Sequence, residues 1–143
     1  MLAIVKPNKV RICIDPKDLN RAIRREHYQL PTIDEVASQL AGAKKFTLCD
    51  AKDGFHQILL DNTPSYLTTF NSPFGRYRWA CMPFRISSAP EVWQQRMHEF
   101  VEDLEGVEVI ADNFLIAGFG ATDTEVNASL KKNECAFLQK CHE

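Results

Sequence analysis

The chain has 143 residues, 45% hydrophobic and 25% charged, the proportions of an ordinary packed domain and not of a disordered or collagen-like chain. Seventeen Lys+Arg against nineteen Asp+Glu leave a net charge of −2, which argues against a generic basic nucleic-acid binder. The total conceals an asymmetry, because residues 1–45 carry +4 and the remainder −6.

The length suits one hydrophobic core. The five cysteines (Cys13, Cys49, Cys81, Cys135 and Cys141) are odd in number and widely spaced, without a C-x-x-C pair. They read as free thiols of a reducing compartment and not as a disulfide or zinc framework. No apolar run reaches membrane-spanning length, and Met1–Lys6 is too short for a signal peptide. The expectation is a soluble intracellular protein, cytoplasmic or nuclear, with no membrane partner.

In chain order, Leu2–Lys6 and Val10–Ile14 predict a hairpin around Pro7-Asn8-Lys9, followed by an irregular polar stretch to Leu30. Thr32-Ile33-Asp34-Glu35 forms a capping box that opens a short helix, with Ile33, Val36, Ala37 and Leu40 on one face and Gly42 at its end. Phe46–Asp50 reads as a buried strand closed by a carboxylate, and Phe55–Leu60 as another strand. Leu67–Phe70 and Arg76–Met82 flank Asn71–Gly75 as a second hairpin. Ser88-Ala89-Pro90-Glu91 is a second capping box, opening the longest amphipathic helix, whose stripe is Trp93, Met97, Phe100, Val101 and Leu104. Val107–Ile110 and Phe114–Ala117 form a third hairpin with Asp112-Asn113 at its tip. Strands interleaved with two helices predict an α+β fold, a mostly antiparallel sheet backed by two helices.

Two residues carry potential chemistry. Asp50 ends a buried strand and Asp112 lies at a hairpin tip, and each alone reads as a turn-forming aspartate. Together, carboxylates on neighbouring strand ends are the donor set for divalent cations in two-metal phosphoryl transfer. Oxygen donors of this kind select Mg²⁺ or Mn²⁺.

Five segments resemble, in order, the motifs of the reverse transcriptases of gypsy-class LTR retrotransposons, relatives of the retroviral enzymes. They are Arg11-Ile12-Cys13-Ile14-Asp15 through Leu19-Asn20, Tyr28–Asp34, Leu48–Ile58, Met82–Pro90 and Ile110-Ala111-Asp112-Asn113, the last similar to the Y-x-D-D box. The resemblance spans about residues 4–119. It implies a partial fingers–palm polymerase fold, with residues 1–45 fingers-like, 46–119 palm-like and 120–143 a palm tail shortened by an internal deletion. It also implies RNA- or DNA-templated DNA synthesis on a primer–template from deoxynucleoside triphosphates.

By the same resemblance Asp50 and Asp112 are metal-binding catalytic aspartates, and Arg11 and Lys6 contact the triphosphate, for which a guanidinium is suited. Phe55 lies beneath the sugar and excludes a 2′-hydroxyl, while Phe84 and Arg85 belong to the loop that shapes the nucleotide pocket. Core packing is the competing reading for Phe55, Phe84 and Met82.

Three departures point to impaired catalysis. Asn113 stands where the family has its second box aspartate and brings no negative charge. Arg85 replaces a glycine in the pocket loop, where it obstructs the site or adds a phosphate contact. Residues 129–140 resemble the strand that follows the next palm helix, yet only 121–128 remain for that helix. The alternative reading is a non-enzymatic retroelement remnant that binds nucleic acid or a partner.

Overall fold

The computed structural model describes the backbone of all residues except Met1, Asn8, Glu26 and Glu143; the side chains of residues 2–4, 6 and 9–11 also lie outside the described set. Two compact units emerge, Met1–His27 with Asp53–Trp93, and Tyr28–Lys52 with Gln94–Glu143. The architecture is α+β, with helices of 6 to 18 residues and antiparallel strand pairs.

In the first unit, β1 (Leu2–Lys6) and β2 (Lys9–Cys13) form the expected hairpin. The polar stretch that follows is not wholly irregular, because Lys17–Ala22 forms the six-residue helix α1. Its Leu19 and the following Ile23 pack against the core of Ile14, Met82, Ile86 and Ala89.

The strand expected over Phe55–Leu60 is instead a 3₁₀ turn, Gly54–Gln57, entered through Asp53 at φ +53°. A three-residue turn brings Phe55 and Ile58 to one side, and both pack on that core. Leu59 bridges antiparallel to Cys81, flanked by the Leu60 amide donating to the Ala80 carbonyl and the Met82 amide donating to the Ile58 carbonyl, both at 2.9 Å.

Leu67 likewise ends a helix, α3 (Asn62–Leu67), with Pro64 in its first turn, where a missing amide is tolerated. The second hairpin is shorter than its sequence suggests, β4 (Phe70–Ser72) and β5 (Gly75–Tyr77). Beyond Tyr77 the chain leaves the ladder because other groups take its backbone. Thr68 Oγ1 accepts from the Trp79 amide at 3.0 Å, and the Trp79 carbonyl accepts from Ser65 Oγ at 2.5 Å.

Helix α4 (Ala89–Val101) starts where the second capping motif predicts, with Glu91 in its first turn. Glu91 Oε1 accepts from Arg25 at 2.5 Å, a pair in which the carboxylate is buried and the guanidinium half-exposed.

The second unit contains α2 (Ile33–Gln39), whose capping box is realised: Thr32 Oγ1 accepts from the Glu35 amide and Glu35 accepts from the Thr32 amide. Its three-stranded antiparallel sheet has the order β3 (Lys45–Asp50), β7 (Asn113–Gly118), β6 (Val107–Ile110). Alternation along these strands divides apolar side chains between two faces. Val107, Val109, Phe114 and Ile116 pack with Val101 and Phe137, from α4 and α5 (Asp123–Lys140). On the opposite face Ile110, Leu115 and Ala117 pack with Val36 and Leu40 of the α2 segment.

Residues 129–140, similar in sequence to a strand, are helical within α5. A second capping box, Thr122 with Glu125, opens the helix, and Val126, Asn133 and Phe137 are buried at helical spacing. The spacing i, i+7 and i+11 places these three side chains on one face of the helix.

Candidate active site

Asp50 is the last residue of β3, and β3 pairs with β7 so that Asp50 faces Asn113 directly. Asn113 is in turn the register partner of Ile110, which leaves Ala111 and Asp112 as a two-residue turn between β6 and β7. The Ala51 amide donates to the Asp112 carbonyl at 2.8 Å, extending the β3–β7 ladder into that turn. Asp50, Asp112 and Asn113 therefore share one end of the sheet, and all three are exposed.

The turn carries local strain. Ala111 has φ +51°, the left-handed region that glycine adopts most readily in two-residue hairpin loops. It is held there by Gln94, which is only 2% exposed. Gln94 Oε1 accepts from the Ala111 amide at 2.9 Å, and Gln94 Nε2 donates to the Val109 carbonyl at 2.8 Å. One buried amide thus holds the backbone on both sides of Ile110, at Val109 and at Ala111. Gln94 had a signal in the sequence: it lies at helical spacing from Met97 and Val101, a polar residue on an apolar stripe.

The donor set fits a hard divalent cation in kind, two carboxylates and an amide oxygen, but is one negative charge short of three acids. Among the described residues no group of three or more His, Cys, Asp or Glu side chains is arranged to hold a metal ion.

The other predicted residues lie in the first unit. Phe55 is half-buried in an aromatic cluster, its ring 5.7 Å from Phe84 and 6.2 Å from Trp93, centroid to centroid. His56 packs edge-on to Phe84 at 4.7 Å. Arg85 is exposed and has φ +78°, so its backbone takes the conformation that a glycine adopts freely. Asn20 holds this loop: its Nδ2 donates to the Arg85 carbonyl and its Oδ1 accepts from the Ser87 amide, both at 2.9 Å. The side chains of Lys6 and Arg11 lie outside the described residues.

Residues 4–137 match the family described as reverse transcriptase (RNA-dependent DNA polymerase). The chain is 32% identical over 136 residues to the enzymatic polyprotein of cauliflower mosaic virus (strain Strasbourg), covering 94% of this chain and 19% of that protein. It is 37% identical over 145 residues to the retrovirus-related Pol polyprotein of transposon 412 of Drosophila melanogaster, covering 91% of this chain and 12% of that one. Among solved structures, the foamy viral protease–reverse transcriptase in complex with dsDNA superimposes with a TM-score of 0.78 at 18% identity, over 98% of this chain and 29% of that one. The same foamy viral protein in complex with an RNA/DNA hybrid gives 0.73 at 15% identity, over 96% and 18%.

The chain belongs to the reverse transcriptase family. It spans about a fifth or less of the length of the polyproteins it matches.

Proposed function

We propose that this chain is the fingers–palm portion of a gypsy-class LTR-retroelement reverse transcriptase whose nucleotidyl transfer is impaired. In this reading residues 1–45 are fingers-like, 46–119 palm-like and 120–143 a shortened palm tail. The observation that carries it is the register of Asp50 against Asn113, with Asp112 in the adjoining turn. The substrates are an RNA or DNA primer–template and deoxynucleoside triphosphates. In support, the solved foamy viral relatives are described in complex with dsDNA and with an RNA/DNA hybrid.

Asp50 and Asp112 would hold Mg²⁺, or Mn²⁺ in its place. When bound there, the cation supplies activation of the primer 3′-hydroxyl and neutralisation of the leaving pyrophosphate. Asp50 and Asp112 contribute the negative charge that retains it, and Asn113 offers only a neutral amide oxygen. Phe55 excludes a ribose 2′-hydroxyl by sterics, Arg11 and Lys6 bind phosphate oxygens, and Phe84 with Arg85 bounds the pocket. Loss of one carboxylate weakens charge stabilisation where the reaction most depends on it.

The test is primer extension by the full chain on a defined RNA template, in Mg²⁺ and then Mn²⁺. Weak extension that Asp50→Asn abolishes is the expected result. Extension that survives Asp50→Asn would overturn the assignment.

A further inference from the structure

Between Asp61 and Glu91 the sequence contains no acidic residue, while it holds three arginines and six aromatic residues. In a chain with a net charge of −2, this is a long positive stretch outside the basic first 45 residues. The fold turns it into a surface. Phe74 is one of the two loop residues between β4 and β5 and is 88% exposed, and Tyr66 of α3 and Tyr77 of β5 are 64% and 50% exposed.

Tyr66 and Tyr77 are held by contacts of their rings, and Phe74 through its backbone. Arg78 lies over the Tyr66 ring, its guanidinium carbon 4.1 Å from the centroid. Tyr77 stacks on Phe70 at 6.2 Å and 29°. At the tip, the Tyr77 hydroxyl donates to the Phe74 carbonyl at 3.4 Å, and the Phe74 amide donates to Ser72 Oγ at 3.1 Å. Arg76 is directed by its Nε donating to Asn71 Oδ1 at 3.3 Å. Gly75, at φ +129°, lets the two-residue loop close.

Exposed aromatic rings interleaved along the chain with guanidinium groups, in a segment that itself has no carboxylate, suit unpaired bases that stack while phosphates meet cations. We propose that the β4–β5 hairpin and α3 form a stacking platform for a single nucleic-acid strand, with Phe74 as the principal base contact and Arg76 and Arg78 as the phosphate contacts. The proposal rests on the nucleic-acid reading above and adds a second contact surface to it. A second copy of this chain fits the patch poorly, because a two-fold interface would set Arg76 and Arg78 against their own mates with no acid in the segment to pair them.

The test is fluorescence anisotropy of the full chain with a labelled DNA or RNA strand of about 12 nucleotides, alongside a matched blunt duplex. Phe74→Ala should weaken single-strand binding by about 5- to 100-fold, the size of one lost base–aromatic stack, and duplex binding much less. Arg76→Gln with Arg78→Gln should reduce the slope of log affinity against log salt by about 1.4, two single-strand phosphate contacts. Because Phe74 lies on an exposed loop, its replacement should leave the circular dichroism spectrum and Tm unchanged. Wild-type affinity for single strands in both variants would overturn the platform while leaving the polymerase reading intact. A wild-type chain that binds no nucleic acid would overturn both. Phe74→Ala dissolving a self-associated species in sedimentation velocity, without changing affinity, would make the patch a contact between copies and overturn the proposal.

Discussion

Asp50 and Asn113 face each other across the β3–β7 ladder, the carboxylate of one strand end directly opposite the amide of the other. Directly opposed residues of an antiparallel pair have Cβ atoms about 5 Å apart, so the side chain at 113 sets the local electrostatics of Asp50. Asn113→Asp would place two carboxylates opposite each other with Asp112 alongside. Without a divalent cation the variant should therefore lose up to about 1 kcal/mol of stability, the cost of like charges at opposed positions. Mg²⁺ should restore it, whereas the wild-type Tm should respond less to Mg²⁺. Thermal unfolding of both proteins with EDTA and with excess Mg²⁺ checks the sign.

Gln94 bonds both to the Val109 carbonyl and to the Ala111 amide from a buried position. Gln94→Ala would remove the side-chain partner of both, and the buried Val109 carbonyl is worth about 1–3 kcal/mol when left unpaired in the interior. A loss of about 1–3 kcal/mol in urea unfolding is expected, and the Asp112 turn should loosen with it. Loss under 0.5 kcal/mol, the size of a neutral surface change, would show that the turn holds itself.

Arg85 occupies a left-handed backbone conformation at φ +78°. That region costs an L-residue about 1–2 kcal/mol. Arg85→Gly removes the strain but adds freedom to the unfolded chain, so a net gain of about 0.5–1 kcal/mol is expected. Asn20→Ala should act in the opposite direction, because the Arg85 carbonyl and Ser87 amide both depend on Asn20.

Two kinds of carboxylate give opposite pH responses. The Thr122 and Ala121 amides hold the Glu125 carboxyl below its ordinary range, as the Thr32 amide does for Glu35. These groups stabilise the fold above the unfolded carboxylate range, and the contribution is lost as pH falls through their lowered values. Glu125→Gln should therefore lower Tm at neutral pH and differ progressively less from wild type as pH falls through the lowered value. Glu108 is raised by burial, against the opposing effect of His98. Its contribution is present below the unfolded range and lost as pH rises through the folded value. Glu108→Gln should accordingly raise Tm at neutral pH and gain little in acid. Paired Tm scans across pH check both signs.

The outline of the fold was legible because its strongest signals are local. The Thr32–Glu35 box opens a helix, Asp112 falls in a two-residue hairpin turn, and Gly106, at φ +70°, lies between α4 and β6. Missed elements are those where tertiary contacts overrule local pattern. Phe55 and Ile58, which a strand would put on opposite faces, serve one core from a 3₁₀ turn, and Trp79 leaves its ladder for hydrogen bonds to Ser65 and Thr68. Residues 129–140 keep a strand-like sequence, yet the Thr122 cap and the burial of Asn133 and Phe137 make them helix. At the site, the aspartates were visible by their motifs. Asn20 closed a motif and Gln94 stood as a polar residue on an apolar stripe, but the backbone groups each one bonds declare themselves only when the partner segments are in place.

The most direct test of the central claim is primer extension by Asn113→Asp beside wild type, with Asp50→Asn as the inactive reference. If the missing carboxylate limits catalysis, Asn113→Asp should extend an RNA-templated primer at least about 10-fold faster in Mg²⁺, corresponding to about 1.4 kcal/mol of recovered transition-state stabilisation. An Asn113→Asp rate equal to wild type, with Asp50→Asn equally unchanged, would contradict it.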